Sequence, residues 1–341
     1  MATPLDQKLC DHIVALEPRI DLVWEPSLMP TSRFATDYRG DPDFCRTAEQ
    51  QQRYDDLIDS ADALYGIPDL NPAALRRTIE ANPRLRWVQT MAAGGGGQVK
   101  AAELGRADLQ RVTFTTSAGV HGRPLAEFAL FGLLAGAKML PQLLVQQEER
   151  RWPERQEMRH LADQTILVLG TGGIGKQVID LLGAFGCTVI ATSRRERALD
   201  GVNEVVHPDS LGAVLPRVDG IVVTLPGTDA TAGLVGEAVF SAIKAGATLV
   251  NVGRGTVVDE PALIVALQRG QIGYAALDVF AQEPLPAASP LWDMPNVLVS
   301  PHTAALSTAE PRLIAELFAR NAGLLLDGHA LLNRVDTVEF Y

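Results

Sequence analysis

Short apolar runs alternate with helical patterns along the first third of the chain. The runs that we predict to be strands are Asp21–Trp24, Ala63–Ile67, Leu85–Thr90 and Val112–Thr115. Between the second and the third run, Pro72–Glu80 has the periodicity of an amphipathic helix, and Asn71 stands at its N-cap position. Strands that alternate with helices in this way indicate a parallel sheet.

Longer and almost uninterrupted apolar runs follow in the centre of the chain. Runs of this kind are typical of strands that helices cover on both faces. The strands predicted here are Thr165–Leu169, Thr188–Ala191, Gly220–Thr224, Thr248–Val252, Tyr274–Asp278 and Val297–Ser300. Polar and small residues stand where these strands end. In open α/β sheets ligands bind beyond the carboxyl ends of the strands, so we expect a binding site there.

One stretch, Leu125–Val145, is long and apolar enough to resemble a membrane span. Glu127, Lys138 and Pro141 interrupt it, and such residues are costly in hydrocarbon. We therefore predict a buried helix between domains or subunits, and no membrane association. The domain boundary is placed near Gly119–Arg123, just before this helix.

Charge and cysteine content exclude several classes of protein. A net charge of −11 over 341 residues argues against a surface for nucleic acid or for an anionic membrane. Cys10, Cys45 and Cys187 lie far apart without metal-ligand spacing, so we predict neither a metal site nor a disulfide framework. The first residues, Met1–Asp11, lack the pattern of a secretory signal, and we expect a cytoplasmic protein.

A glycine-rich turn, Gly170–Gly175, directly follows the predicted strand Thr165–Leu169. A helical pattern comes next, carried by Val178, Ile179, Leu182 and Phe185. This is the strand, turn and helix of a dinucleotide-binding unit. Gly170 would permit the tight turn, Gly172 would let the backbone approach a pyrophosphate, and Gly175 would let helix and strand pack closely. A glycine turn with a purely structural role is the alternative.

Two residues near the last strand could exchange or hold a proton. His302 follows Pro301, and an imidazole gains and loses a proton near neutral pH. The alternative is a surface histidine that caps the next helix. Glu283 could fix the imidazole tautomer and stabilise its cation; the alternative is an exposed loop acid before a proline.

Two further charged residues follow buried strands. Arg254 stands between Gly253 and Gly255, and these glycines are expected to leave open space in which the guanidinium could hold a carboxylate. A structural salt bridge with Asp259 is the alternative. Asp278 could accept a hydrogen bond from a cofactor amide, or it could be a helix cap or a turn residue.

Taken together, these motifs resemble the D-isomer-specific 2-hydroxyacid dehydrogenase family. The matching segments are Val168–Phe185, Asp219–Pro226, Leu249–Asp259, Ala276–Leu285 and Pro290–Ala305. The resemblance implies an α/β fold of two Rossmann-like or flavodoxin-like parallel-sheet domains separated by a cleft. A substrate domain would comprise residues 1–120 and 306–341, with a helical return at Ser307–Leu326, and a dinucleotide-binding Rossmann domain would comprise residues 121–305.

The resemblance also implies a reaction, in which hydride passes from a nicotinamide to a small 2-oxo acid such as glyoxylate or hydroxypyruvate. Arg254 would bind the substrate carboxylate and polarise its carbonyl group. Protonated His302 would donate a proton to the carbonyl oxygen, and Glu283 would hold the imidazole in its charged form. The substrate-binding residues would be Ala93, Gly94, Gly95, Arg254 and His302, the first three through backbone N–H groups.

A larger set of residues would contact the cofactor by the same resemblance. They are Gly170, Gly172, Gly173, Ile174, Gly175, Ser193, Arg194, Arg195, Leu225, Pro226, Thr231, Val252, Gly253, Arg254, Asp278, His302 and Ala304. Many NAD-dependent relatives carry an acid after the second strand, where Ser193 stands here before Arg194 and Arg195. A hydroxyl and two arginines attract a 2′-phosphate, so we predict NADP(H) in preference to NAD(H). The alternative is a solvated pair of surface arginines.

Several expectations concern assembly and rival functions. We expect a homodimer held by one helix, Leu125–Leu144. Relatives usually have an apolar residue and an acid where Gly95 and Gly96 stand, and the run Gly94–Gly97 predicts a flexible loop with few side-chain contacts. A formate or phosphite dehydrogenase on the same scaffold is one rival, although Glu283 argues against the formate variant, which typically has glutamine. A nucleotide-sensing, corepressor-like binding protein is the rival from another class.

Overall fold

A computed structural model describes residues 1–194 and 198–340. The chain forms two compact units, one of Met1–His121 with Leu306–Tyr341 and one of Gly122–Ala305. The described residues contain ten strands: β1 (Ala63–Tyr65), β2 (Trp87–Gln89), β3 (Thr113–Thr115), β4 (Thr165–Leu169), β5 (Thr188–Thr192), β6 (Glu204–Val206), β7 (Gly220–Val223), β8 (Ala247–Asn251), β9 (Ile272–Leu277) and β10 (Val297–Val299).

Eleven α-helices accompany the strands in the same described ranges. They are α1 (Gln7–Leu16), α2 (Ala48–Asp59), α3 (Pro72–Ala81), α4 (Gly96–Ala101), α5 (Arg106–Arg111), α6 (Gly122–Ala137), α7 (Leu140–Glu148), α8 (Gly173–Ala184), α9 (Glu237–Ala242), α10 (Glu260–Gln268) and α11 (Glu310–Leu326). Both sheets are parallel, which confirms the predicted α/β class.

The first unit has a three-stranded sheet in the order β1-β2-β3. Trp87 of β2 is fully buried and stacks on Phe318 of α11, with ring centroids 4.6 Å apart. The predicted helical return is therefore confirmed, although α11 begins at Glu310. Asn71 caps α3 as predicted, because its side chain accepts a hydrogen bond from the N–H of Ala73 at 2.9 Å.

One strand predicted in this unit is wrong. Residues 21–24 are extended but belong to no strand. Leu22 and Trp24 pack partly buried against the core, whereas Val23 between them is exposed. The alternating pattern thus reports which side chains are buried, and no neighbouring strand pairs with this segment in the described sheet.

The second unit has a seven-stranded sheet in the order β10-β9-β8-β7-β4-β5-β6. The six strands predicted from apolar runs are confirmed, with every end within two residues of its predicted place. β6 was missed because it has only three residues, all half-buried, at the edge of the sheet. The strand order reverses between β4 and β7, and ligands bind open α/β sheets at such a reversal.

The single helix predicted over Leu125–Leu144 is wrong. Two helices, α6 and α7, occupy this stretch with a bend of 65° between them. Met139 in the break has a left-handed backbone with φ of 56°. A proline inside a helix lacks an N–H and clashes with the carbonyl four residues earlier, which for Pro141 is that of Ala137. The helix therefore ends at Ala137 and a new one begins at Leu140.

Helix α6 lies against β8 and β9 through glycines. A Cβ added at Gly132 would lie 2.8 Å from atoms of both Ala276 and Val250, and one at Gly136 would lie 2.2 Å from Thr248 Oγ1. Burial explains why this helix is apolar. In the described part of the chain, no single helix has the length and apolarity needed to cross a membrane, and only the bent pair α6–α7 meets those limits, on length and composition alone.

Gly132→Ala is expected to lower the free energy of unfolding by about 1–3 kcal/mol, because a methyl group would push α6 away from the sheet. Gly183→Ala in α8 is the matched control, since an added Cβ there meets no atom within 4 Å. It should raise the free energy of unfolding by about 0.5–1 kcal/mol through helix propensity. Urea unfolding of both variants measures the difference, and equal stabilities would contradict the close packing.

Candidate active site

The turn after β4 has the backbone geometry that its glycines predict. Gly170 has a φ of +106°, so the tight turn is confirmed. A Cβ at Gly175 would lie 1.9 Å from the carbonyl oxygen of Gly170, which confirms that α8 packs directly on the turn. At Gly172 and Gly173 an added Cβ would meet nothing within 4 Å. The N-terminus of α8 therefore has open space beside it, as a bound pyrophosphate requires.

Two threonines at neighbouring strand ends hold Gly170 in place. Thr192 Oγ1, at the end of β5, accepts a hydrogen bond from the N–H of Gly170 at 3.1 Å. The hydroxyl of Thr224, just after β7, donates to the carbonyl oxygens of Gly170 and Leu169, at 2.9 and 3.0 Å. Sequence reasoning missed both residues. The signal for them in the sequence was a threonine at the carboxyl end of each of the two strands, β5 and β7, that flank β4.

The apolar face predicted for the helix after this turn is largely confirmed. Val178, Ile179 and Leu182 are buried, as expected. The prediction is wrong for Phe185, which is 43% exposed. Helix α8 ends at Ala184, so Phe185 is the C-cap residue and not part of the buried stripe.

The predicted site for a 2′-phosphate lies at the carboxyl end of β5. Ser193 is half-buried, and its N–H donates to the carbonyl oxygen of Val206 at 3.0 Å. Arg194 is exposed, and Arg195 lies outside the described residues. Ser193 and Arg194 thus stand next to Thr192, which holds the glycine turn.

The loop after β7 is held by one of the predicted cofactor residues. The Thr231 hydroxyl donates to the carbonyl oxygen of Pro226 at 2.7 Å and accepts from the N–H of Thr228 at 2.9 Å. The Thr231 hydroxyl therefore closes the loop of residues 226–231 on itself. The hydroxyl of Thr231 thus forms hydrogen bonds within its own loop.

The Arg254 side chain is exposed, but the expectation that its flanking glycines provide the open space is wrong. A Cβ at Gly253 would lie 2.6 Å from the carbonyl oxygen of Leu225, and one at Gly255 would lie 1.8 Å from the carbonyl carbon of Phe280. The two glycines let the Arg254 turn pack against the loops after β7 and β9. Asn251 closes the turn, because its Oδ1 accepts from the N–H of Gly253 and its Nδ2 donates to the carbonyl oxygen of Arg254, both at 3.0 Å.

The Arg254 side chain is exposed and rests on its own turn. Its Nη1 donates to the carbonyl oxygen of Gly253 at 2.7 Å. The salt bridge with Asp259 is absent among the described ion pairs; Asp259 instead caps α10 by accepting from the N–H of Ala262 at 3.1 Å. The guanidinium therefore keeps several N–H groups that no described residue binds.

Asp278 holds the turn after β10. It is 1% exposed. Its Oδ1 accepts three hydrogen bonds, from Ser300 Oγ at 2.5 Å and from the N–H groups of Thr303 and Ala304 at 2.9 and 3.0 Å. The alternative of a turn residue is therefore confirmed for this oxygen. No described residue donates to Oδ2.

His302 has a left-handed backbone with φ of 53°. Such a conformation is uncommon outside glycine and is found at functional positions. It is stabilised here because the N–H of His302 donates to the carbonyl oxygen of Asp278 at 3.0 Å, while the next two N–H groups bind the side chain of Asp278. His302 does not cap a helix, since α11 begins only at Glu310.

The imidazole of His302 is paired with Glu283. Nδ1 lies 2.7 Å from Glu283 Oε2, and Glu283 Oε1 accepts from the N–H of Phe280 at 3.0 Å. Burial alone would raise the pKa of the Glu283 carboxyl. The hydrogen bonds from His302 and Phe280, with the charges of His302 and Arg254, hold this pKa below its usual range. The Nε2 atom has no hydrogen-bond partner among the described residues.

The predicted substrate-binding loop belongs to the first unit. The N–H groups of Ala93, Gly94 and Gly95 donate to no described residue. The expectation that Gly94–Gly97 form a loop is wrong for Gly96 and Gly97, which begin α4. In addition, a Cβ at Gly95 would lie 1.8 Å from Thr90 Oγ1, so this turn packs closely on a side chain.

Comparison with known proteins identifies similar sequences. The family model described as D-isomer specific 2-hydroxyacid dehydrogenase, NAD binding domain, matches residues 130–304. A glyoxylate/hydroxypyruvate reductase A from Yersinia enterocolitica is 34% identical over 203 residues, which are 58% of this chain and 64% of that protein.

Two crystal structures are similar over much of the chain. A D-isomer specific 2-hydroxyacid dehydrogenase from Xanthobacter autotrophicus Py2, in complex with NADPH and MES, is 32% identical, with 100% of this chain and 98% of that chain covered and a TM-score of 0.74. An NADPH-dependent glyoxylate/hydroxypyruvate reductase from Sinorhizobium meliloti, in complex with NADP and sulfate, is 28% identical, with 78% and 83% covered and a TM-score of 0.69.

Glu283→Gln is expected to lower stability at neutral pH and to matter less in acid. The pKa of Glu283 is lower in the folded than in the unfolded chain, where it is about 4.3. The stabilisation is therefore fully present above that value and is lost as the pH falls towards the folded pKa. Urea unfolding of both proteins between neutral pH and about pH 3 measures this. A stability gap that stays constant with pH would contradict the assignment.

Proposed function

Since this chain belongs to the D-isomer-specific 2-hydroxyacid dehydrogenase family, we propose that it reduces a small 2-oxo acid to a D-2-hydroxy acid with NADPH. The chain is an NAD(P)-dependent oxidoreductase by this membership. The observation that carries the finer proposal is the 2.7 Å contact between Glu283 Oε2 and His302 Nδ1. The positive charge of Arg254 also contributes to the lowered pKa of Glu283. Glyoxylate and hydroxypyruvate are the proposed substrates, since they name two similar enzymes.

The acid–base roles follow from the hydrogen bonds. When bound, the nicotinamide supplies the hydride. Because Glu283 holds Nδ1 of His302, the proton for the substrate carbonyl comes from Nε2, and the carboxylate stabilises the imidazolium. Arg254 binds the substrate carboxylate through its unpaired N–H groups and stabilises charge on the carbonyl oxygen.

The cofactor and substrate contacts are part of the same proposal. The open side of Gly172 and Gly173 beside the N-terminus of α8 fits a pyrophosphate. The N–H groups of Ala93–Gly95 bind the substrate carboxylate, and residues 1–120 with 306–341 form the substrate domain.

NADP(H) is the proposed cofactor in preference to NAD(H). Ser193 and Arg194 stand at the end of β5 without a carboxylate at position 193, and a hydroxyl with a guanidinium suits a 2′-phosphate. The two similar crystal structures contain NADPH and NADP.

We also propose a homodimer, held by the bent pair α6–α7 in place of the single helix first expected. Large apolar side chains along and just after these helices are exposed: Phe131, Leu143, Leu144, Val145, Trp152 and Met158. Leu144 is 55% exposed and Trp152 99% exposed. Exposed apolar side chains that cluster on a surface mark an interface, and all six fall within residues 131–158 of the chain. The cytoplasmic location stays a prediction from the sequence.

Turnover of a panel of 2-oxo acids with NADPH and with NADH, followed by nicotinamide absorbance, tests the activity. We expect reduction with a higher kcat/KM for NADPH. His302→Ala should lower kcat by about 100-fold or more without loss of NADPH binding, because acid–base catalysis is lost. Unchanged turnover would remove His302 from that role. Tight nucleotide binding without any turnover would support the nucleotide-sensing alternative instead.

The same assay tests the cofactor preference with two arginine variants. Arg194→Ala should reduce the ratio of kcat/KM for NADPH over NADH, because a cation near the 2′-phosphate is lost. Arg269→Ala, which removes an exposed arginine after α10, is the control and should leave the ratio unchanged. A wild-type ratio that favours NADH would overturn the proposal.

Light scattering after size-exclusion chromatography should give twice the chain mass for the wild type. Leu144→Glu is expected to shift the protein towards the monomer, since a charge would be buried at the interface. Val265→Glu, at an exposed valine of α10, is the matched control and should leave the dimer intact. A monomeric wild type would contradict the dimer proposal.

A further inference from the structure

We infer that Asn251 is a positioning residue that sets the place of the Arg254 guanidinium and thereby the affinity for the substrate carboxylate. This inference rests on the proposed role of Arg254. Asn251 is the last residue of β8 and is 1% exposed, so it touches neither solvent nor a ligand directly. Its effect on the reaction must therefore pass through the turn that it holds.

Both ends of the Asn251 amide are bound within the Arg254 turn. Oδ1 accepts the N–H of Gly253, and Nδ2 donates to the carbonyl oxygen of Arg254, at 3.0 Å each. The same carbonyl also accepts from the N–H of Val257 at 3.2 Å. The backbone of Arg254 is thus anchored to the strand before it and to the helical turn after it.

The guanidinium binds the same residue that Asn251 holds, Gly253, on the other side of its Cα. Arg254 Nη1 donates to the carbonyl oxygen of Gly253, at 2.7 Å, while the N–H of Gly253 is held by Asn251. The orientation of residue 253 therefore fixes where the guanidinium rests. Without the Asn251 amide, the N–H of Gly253 loses its partner, and residue 253 can shift slightly within its packed site.

Small displacements of the Arg254 turn are expected to weaken substrate binding. Gly253 and Gly255 pack against the backbone of Leu225 and Phe280 without room for a Cβ, so the turn has one well-packed arrangement. A bidentate contact with a carboxylate needs the guanidinium plane in one orientation. A shift of about 1 Å at such a group can cost about 100-fold in rate.

A double-mutant cycle distinguishes this role from a merely structural one. The proteins are wild type, Asn251→Ala, Arg254→Ala and the double variant, assayed as the full chain with glyoxylate and NADPH. If Asn251 acts through Arg254, Asn251→Ala should lower kcat/KM by about tenfold to 100-fold, chiefly through KM. The same change in the Arg254→Ala background should then have almost no further effect, since residues that act as a unit are not additive.

Two further measurements distinguish a positioning role of Asn251 from a general loss of structure. The dissociation constant of NADPH should change much less than KM in Asn251→Ala, because the glycine turn after β4, which fits the pyrophosphate, is untouched. Thr248→Ala is the matched control: Thr248 lies on the same strand, is equally buried, and its hydroxyl has no described partner. It should leave KM unchanged. If Asn251→Ala does not fold, Asn251→Ser, which keeps one polar atom, enters the same cycle.

The outcomes are distinct. Additive losses in the two single variants would overturn the inference and leave the proposed function standing. If Arg254→Ala itself leaves kcat/KM unchanged, the role of Arg254 in the proposed function fails, and the inference fails with it. A loss in Asn251→Ala that disappears in the Arg254→Ala background supports the inference.

Discussion

Beyond the carboxyl end of a parallel sheet, backbone N–H and C=O groups no longer bind a neighbouring strand and need other hydrogen-bond partners. The geometry of the candidate site depends on which side chains bind these groups. A buried polar group left without a partner costs about 1–3 kcal/mol. Among the described residues, polar side chains at successive strand ends fill the need: Thr192, Thr224, Asn251 and Asp278. Each of them fixes a turn that presents a predicted functional group, so stability and site geometry have the same source.

Close backbone contact is the second constraint, and it links the turns to each other. The Arg254 turn lies against the backbone of Leu225 on one side and of Phe280 on the other. The N–H of Phe280 in turn binds Glu283, which holds His302. Arg254 and the Glu283–His302 pair are thereby part of one packed assembly within residues 122–305. Preorganised charge of this kind stabilises a transition state without rearrangement during the reaction.

Local patterns succeeded where one segment carries all the information. The buried strands of the second sheet were predicted because strands covered on both faces have no polar side, and the cap at Asn71 needs only neighbouring residues. Predictions failed where the structure of a segment depends on a strand that is distant in the sequence. Residues 21–24 show the alternation of a strand but find no strand to pair with, and β6 becomes a strand only because β5 lies beside it.

The sequence by itself determined the fold class and the glycine turn at Gly170, and it named the candidate site residues, because these depend on short-range order and residue type. Only the tertiary structure decided that the glycines around Arg254 serve close packing instead of open space. It also decided that Asp278 and Asn251 hold the turns of His302 and Arg254. The physical reason is that close contact and hydrogen-bond partners are set by atoms that meet only when the strands lie side by side.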